Sequence, residues 1–162
     1  MSTFPLKIVT PDGLIYDGQA ERLIVRSTTG DLAIMARHIN YVTSLGMGKA
    51  TVISDGKRRE AACIGGMLTM ISGEANLIAT TFEWSEDIDL PRAQHAKEVA
   101  QARIVAAKND ERELMLAEAK LRRALVRIGV KSLVHDTIKQ GRFPSLFLCL
   151  IDRAGQCGNK LS

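Results

Sequence analysis

The chain changes its hydrophobic rhythm once, near residue 88. Before that point apolar residues alternate or cluster in short runs, and after it they recur at helical spacing. Phe4, Leu6 and Ile8 alternate with Pro5, Lys7 and Val9, which predicts a half-buried strand. Pro11, Asp12 and Gly13 form a turn. Leu23, Ile24 and Val25 then lie between charged ends in 21–26, and 28–31 turns the chain again before an apolar run over 32–35. Residues 50–54 and those from Lys57 onward predict a hairpin. They are joined by Asp55-Gly56, a pair that tolerates the positive φ angles of a type I′ turn. Gly65-Gly66 leads into a strand over 67–71, and Ser72-Gly73 into another over 76–81. Short strands with turns about every 8–12 residues predict an all-β sandwich or barrel.

Asp89 is placed to cap a helix, with Leu90 and Pro91 in its first turn, where proline loses nothing. Ala93, Ala96, Ala100, Ile104 and Ala107 follow on one face. Asn109-Asp110 breaks the run, and Leu114, Ala117, Leu121, Leu125 and Ile128 mark a second helix that Gly129 is placed to stop. The expected fold is therefore β followed by α. An antiparallel β-sandwich or flattened barrel spans 1–86 and an antiparallel helical hairpin spans 87–130. The hairpin's inner face is rich in alanine and buries little area, so it should dock on the sandwich or on a partner. Val130, with Leu133, Val134 and Ile138 of the remaining tail, 131–162, can prolong a helix until Gly141 and Pro144 interrupt it. Residues 146–151 are apolar but too few for a membrane span, and 155–162 reads as disordered.

Composition narrows the functional classes. Apolar residues make up 46% of the 162, charged residues 25% and aromatics only 4%, so the core must be aliphatic. The start of the chain lacks the basic-then-apolar order of a signal peptide. Cys63, Cys149 and Cys157 are widely separated, which predicts a reducing compartment and neither a disulfide framework nor a zinc site. Charge is uneven: 8 basic and 10 acidic side chains over 1–87 give −2, while 14 basic and 8 acidic over 88–162 give +6. The C-terminal half thus calls for an anionic partner: nucleic acid, nucleotide or an acidic protein surface. Nucleic acid fits poorly, because that half has almost no aromatics and interleaves acids with its bases.

Enzyme chemistry finds no foothold. His38, His95 and His135 begin no metal-ligand pattern, and no nucleophile set is suggested by spacing. Gly46, Gly48 and Lys49 resemble part of a phosphate loop, but the first glycine and the following hydroxyl residue are missing, so 46–50 is expected to be a linking loop.

Several local motifs, in order, resemble the epsilon subunit family of F-type ATP synthases. They are Leu6-Lys7-Ile8-Val9-Thr10-Pro11-Asp12-Gly13, then Gly30-Asp31-Leu32-Ala33-Ile34 with His38, then Ile64-Gly65-Gly66-Met67-Leu68. Ile88-Asp89-Leu90-Pro91-Arg92-Ala93 and Arg123-Ala124-Leu125-Val126-Arg127 complete the series, so the resemblance covers 3–130. Arg37-His38-Ile39-Asn40 departs from the family's Gly-His-x-Pro, and the segment after Val130 has no counterpart. The resemblance implies a non-catalytic rotor subunit of the proton-translocating synthase, peripheral on the cytoplasmic face of the cell membrane and not inserted in it. Its implied partners are the gamma subunit, the c-ring and, through an extended hairpin that restrains hydrolysis, the catalytic alpha/beta head. Asp31 and His38 would meet the c-ring by the same resemblance, although a histidine in a loop or core is equally consistent with the residues.

The family resemblance also implies regulatory ATP, with no cofactor required, at Glu83, Asp89, Arg92, Ala93, Arg123 and Arg127. Asp89 is equally explained as a helix cap. Arg123 and Arg127 share a helix face and can fork onto phosphate oxygens, or can be a solvated double arginine. An arginine that ATP-binding members carry later in the first helix is Val99 here, with Arg103 one turn on. A stand-alone ATP-sensing module is the alternative to the rotor reading.

Overall fold

The structure is a computed structural model that describes residues 2–107 and 110–140, with side chains as far as Ser132. The expectations for Asn109, for Gly141 and Pro144, for 146–151 and for 155–162 lie outside the described residues. So do the side chains of Leu133, Val134 and Ile138.

Eight strands come first: β1 (Phe4–Thr10), β2 (Gly13–Ala20), β3 (Arg22–Arg26), β4 (Asp31–Met35), β5 (Tyr41–Ser54), β6 (Lys57–Ile71), β7 (Glu74–Ala79) and β8 (Phe82–Trp84). Two helices follow, α1 (Leu90–Ala106) and α2 (Glu111–Gln140). The expected β-sandwich followed by a helical hairpin is what the chain forms. The strands run in the order β2-β1-β7-β6-β5-β3-β4, with β8 paired to β6. Every pairing is antiparallel except that of β1 with β7. A parallel pair cannot be joined by a tight turn, and here everything from β2 to β6 intervenes.

β5 and β6 form one long hairpin. Its turn is Asp55-Gly56, with φ of 52° and 69°, the double positive φ that a two-residue loop demands. The far half of this hairpin pairs with β7, and the turn half pairs with β3 and β8. The change of partners falls where the ladder lacks the Gly46–Gly65 pair between Leu45–Gly66 and Met47–Ile64, with Gly65 at φ 71° and Gly66 at φ 137°. The expected linking loop over 46–50 is therefore wrong, because those residues are mid-strand. Their glycines answer to crowding: a Cβ on Gly48 would lie 2.5 Å from the Arg26 Cβ, and one on Gly46 would lie 3.2 Å from the Ser27 carbonyl oxygen.

The core follows from the alternation. Phe4, Leu6 and Ile8 of β1 are buried while Pro5, Lys7 and Val9 are exposed. They meet Leu23, Leu68 and Leu77 inside one apolar cluster. Burying each aliphatic side chain contributes roughly 1.5–3 kcal/mol, so this layer does not depend on the helices for its core.

α1 starts as expected. Asp89 Oδ1 accepts from the Arg92 backbone N–H at 3.1 Å, and Pro91 lies in the first turn. Asp110 does the same for α2, accepting from the N–H groups of Arg112 (3.0 Å) and Glu113 (3.2 Å), and Glu111 and Glu113 favour the positive end of the helix. Where the helices face each other the buried residues are all alanine: Ala93 and Ala100 on α1, Ala117 and Ala124 on α2. Gly129 does not stop α2, which continues through it to Gln140. A helical glycine costs about 1 kcal/mol. That cost is offset because the next residue, Val130, is buried against Ala62 of β6 and Ile88.

Candidate functional site

The site lies where the hairpin folds back over the end of the sandwich. After β8 the chain turns at Ser85–Asp87, with the Asp87 N–H on the Trp84 carbonyl oxygen at 3.0 Å, and buries Ile88 before the Asp89 cap. Val126 and Val130 of α2 cover Ile88 and Ala62. Beside this patch Arg127 makes a two-toothed bond to Glu83 of β8. Its Nε donates to Oε2 at 2.9 Å and its Nη2 to Oε1 at 2.6 Å. The pair is about one-third exposed, with side-chain exposures of 28% for Arg127 and 34% for Glu83. The hydrogen bond to Glu83 raises the Arg127 pKa, desolvation lowers it, and the carboxylate's charge raises it again, for a net increase. One turn further, Lys131 Nζ donates to the carbonyl oxygens of Ser85 (2.8 Å) and Glu86 (3.2 Å). Arg59 stacks over Trp84 with its guanidinium carbon 3.8 Å from the ring centre, tying the same corner together.

Between this junction and the hairpin's inner face is a cleft of about 630 Å³. All of Glu83, Asp89, Arg92, Ala93, Arg123 and Arg127 line it, so the fold gathers the expected nucleotide residues into one place. They arrive differently committed. Arg127 is held by Glu83, one carboxylate oxygen of Asp89 is occupied by the helix cap, and Ala93 is buried against α2. Val99 and Arg103 both face the cleft. Asp87, His95 and Lys120 also line it and had not been singled out there. The signal for Lys120 was present in the sequence: it lies three residues before Arg123 and seven before Arg127, on one helical stripe. Nothing comparable marks Asp87 or His95, whose place depends on how the hairpin closes.

Asp31 and His38 are not brought together. Asp31 opens β4 and pairs with Arg26 across the β3–β4 ladder, Nε to Oδ1 at 2.7 Å. His38 follows the other end of β4, in a turn where Arg37 has φ 65°. Its backbone N–H donates to the Met35 carbonyl oxygen at 3.1 Å, and its ring lies edge-on to Tyr41 at 6.0 Å. Met35, Ile39 and Val42 around it are exposed, Ile39 by 75%, so this tip presents apolar side chains to solvent. Among the described residues no helix is long and apolar enough to cross a membrane.

Two family models together match residues 3–132 of the chain. Residues 3–85 match "ATP synthase, Delta/Epsilon chain, beta-sandwich domain", and 86–132 match "ATP synthase, Delta/Epsilon chain, long alpha-helix domain". The chain is 45% identical over 109 residues to the ATP synthase epsilon chain of Alkaliphilus oremlandii, covering 67% of this chain and 81% of that one. It is 42% identical over 132 residues to the epsilon chain of Lacticaseibacillus casei, covering 78% and 92%. Its fold resembles a chain in the cryo-EM structure of the Euglena gracilis mitochondrial ATP synthase, with a TM-score of 0.67 and 22% identity over 75% of this chain and 77% of that one.

Proposed function

The chain belongs to the ATP synthase delta/epsilon family, on its epsilon side, and from that premise we propose that it is a non-catalytic rotor subunit of a proton-translocating F-type synthase. In this reading the sandwich binds the gamma subunit and the c-ring. The complex holds it peripherally at the cytoplasmic face of the cell membrane. The exposed apolar tip around His38, and separately Asp31, supply contacts to the ring. The hairpin leaves the sandwich, extends toward the catalytic head and restrains hydrolysis.

The observation that carries the reading is how lightly the hairpin is attached. The sandwich keeps its own apolar core, whereas among the described side chains the hairpin docks through one ion pair, one lysine and the small cluster of Ala62, Ile88, Val126 and Val130. Two packings that differ by a few kcal/mol are what a switch requires. Basic residues on α2, among them Lys120, Arg122 and Arg123, suit acidic side chains of the head once the helix is released. ATP in the cleft would favour the docked hairpin by linkage, because only that state has the cleft.

The test is reconstitution with a synthase lacking its epsilon subunit. The chain is expected to bind the gamma subunit and restore coupling, and a version ending before residue 88 is expected to bind equally but to lose restraint of ATP hydrolysis. Failure of the full chain to bind gamma would overturn the rotor reading. The cleft is equally compatible with a second reading, a stand-alone ATP sensor, and ATP binding without association with the synthase would select it.

A further inference from the structure

The two ends of the strand order, β2 and β4, are not equally guarded. β2 has an irregular register at Ile8/Val9 and carries Asp17 in its middle. β4 pairs with β3 without a break, from Arg22–Met35 to Arg26–Asp31. It has no proline, lysine or bulge, and its one charge, Asp31, is met by Arg26. Among the described residues no strand pairs with its far side. Its outward backbone groups are therefore a template for a further strand. Apolar side chains flank that edge on both faces of the sheet. Leu32 on the core side stays half-buried beside the buried Ile34, and Ala33 and Met35 on the other face are exposed.

α2 leads toward this edge. Arg127 lies on β8, through Glu83, and Val130 lies on Ala62 of β6. Ala62 is directly opposite Glu83 in the β6–β8 ladder, and beyond β6 come β5, β3 and β4 in turn. α2 also meets β5. A helix rises about 1.5 Å per residue and strands lie about 4.8 Å apart, so a helix crossing them at right angles passes one strand in about three residues. The step from Arg127 on β8 to Val130 on β6 keeps that pace. Gln140 is ten residues past Val130, about 15 Å or three strands, which brings the end of α2 level with β4.

Past that point the sequence holds a feature that the rotor reading does not use. Residues 146–151 are all apolar, and alternation puts Leu146, Leu148 and Leu150 on one side of a strand and Phe147, Cys149 and Ile151 on the other. A strand apolar on both sides suits a place covered on both sides, and left bare such a segment pairs with other chains. We propose that 145–151 adds to the free edge of β4 as one more strand, so that the chain covers its own open edge. The place where α2 ends singles out β4, and the link over 141–144 reaches about 13 Å when extended, enough to turn from the helix axis onto the strand direction. One side of the run extends the core layer past Leu32, and the other lies beside Ala33 and Met35. Pairing uses only the β4 backbone, so the Arg26–Asp31 ion pair is kept. A tether this short gives its segment an effective concentration in roughly the millimolar range, which favours the chain's own tail over a second copy.

The test is amide hydrogen exchange on the full chain, read residue by residue, with light scattering for the oligomeric state. In the wild-type monomer every second amide of β4 faces outward, and these should be protected together with amides of 146–151. Leu148→Pro and Cys149→Pro remove successive N–H groups, one of which must face β4. That variant should speed exchange of the outward β4 amides about tenfold or more, while the other has a smaller effect and β1 and β7 keep their protection in both. Equal β4 exchange in the wild type and both variants would overturn the assignment. So would protection of 146–151 that appears only in a dimer, or only with vesicles of phosphatidylglycerol and phosphatidylcholine, because the run would then pair with a second copy or lie on a lipid surface.

Discussion

Consider Glu83→Gln, which removes the charge from the latch and keeps its size. The Arg127–Glu83 pair is bidentate, at 2.6 and 2.9 Å, and only about one-third exposed. An exposed pair contributes about 0–1 kcal/mol, and breaking a fully buried one costs about 3–5 kcal/mol. Partial exposure lets water solvate the orphaned guanidinium, so the loss here should be about 1–2 kcal/mol. Apolar docking is of the same order, since burying Val130 contributes roughly 1.5–3 kcal/mol. The latch is thus a large fraction of what holds the hairpin down. Its loss should raise the undocked fraction by about 5- to 30-fold.

Amide hydrogen exchange reads this directly. Amides of α2 around residues 126–132 should exchange about 5–30 times faster in Glu83→Gln, while those of β1 and β7 in the sandwich keep their protection. Arg127→Gln should do the same, and the double variant should add little, as expected for two halves of one interaction. Unchanged α2 exchange in both single variants at low salt would refute the latch. So would additive effects in the double variant.

Three further outcomes follow from other parts of the fold. Gly66→Ala should destabilise the sandwich by about 2–4 kcal/mol in urea unfolding, because its φ is 137° and a Cβ would collide with the Ile78 carbonyl oxygen, which is backbone and cannot swing away. Asp110→Ala should cost about 1 kcal/mol through the α2 cap, seen as fraying of residues 111–114 by hydrogen exchange with little change in the sandwich. Burial lifts the Cys63 thiol from 9.0 to about 11. In a Cys149→Ser/Cys157→Ser background it should resist thiol reagents at pH 8 in the folded state and react at once in denaturant. Because its folded pKa lies above the unfolded one, the associated stability is complete below pH 9 and is lost as the pH climbs through about 11.

Much of this architecture was legible from single residues. The alternation of Phe4, Leu6 and Ile8, the positive-φ pair Asp55-Gly56 and the Asp89 cap each carry a local physical cause, and each formed as expected. What escaped depended on partners distant in sequence. β2 has no clean alternation, since most of it stays partly or fully exposed. Gly46 and Gly48 look like loop residues until Arg26 and Ser27 are seen crowding them. Gly129 looks like a helix stop until Val130 finds Ala62 and Ile88. The candidate site divides the same way. Motifs pointed to six of its residues but not to Asp87, His95 or Lys120, nor to the bond between Glu83 and Arg127, 44 residues apart, which changes the role that Arg127 can play.

The alanine seam between the helices has a thermal consequence. Parting Ala93, Ala100, Ala117 and Ala124 wets very little hydrocarbon, so separating the two helices from each other should itself carry only a small heat-capacity change. The balance between closed and open forms would then drift little between a cold and a warm cell. The opened helices, still polar on most of their surface, would also offer little for other chains to aggregate on.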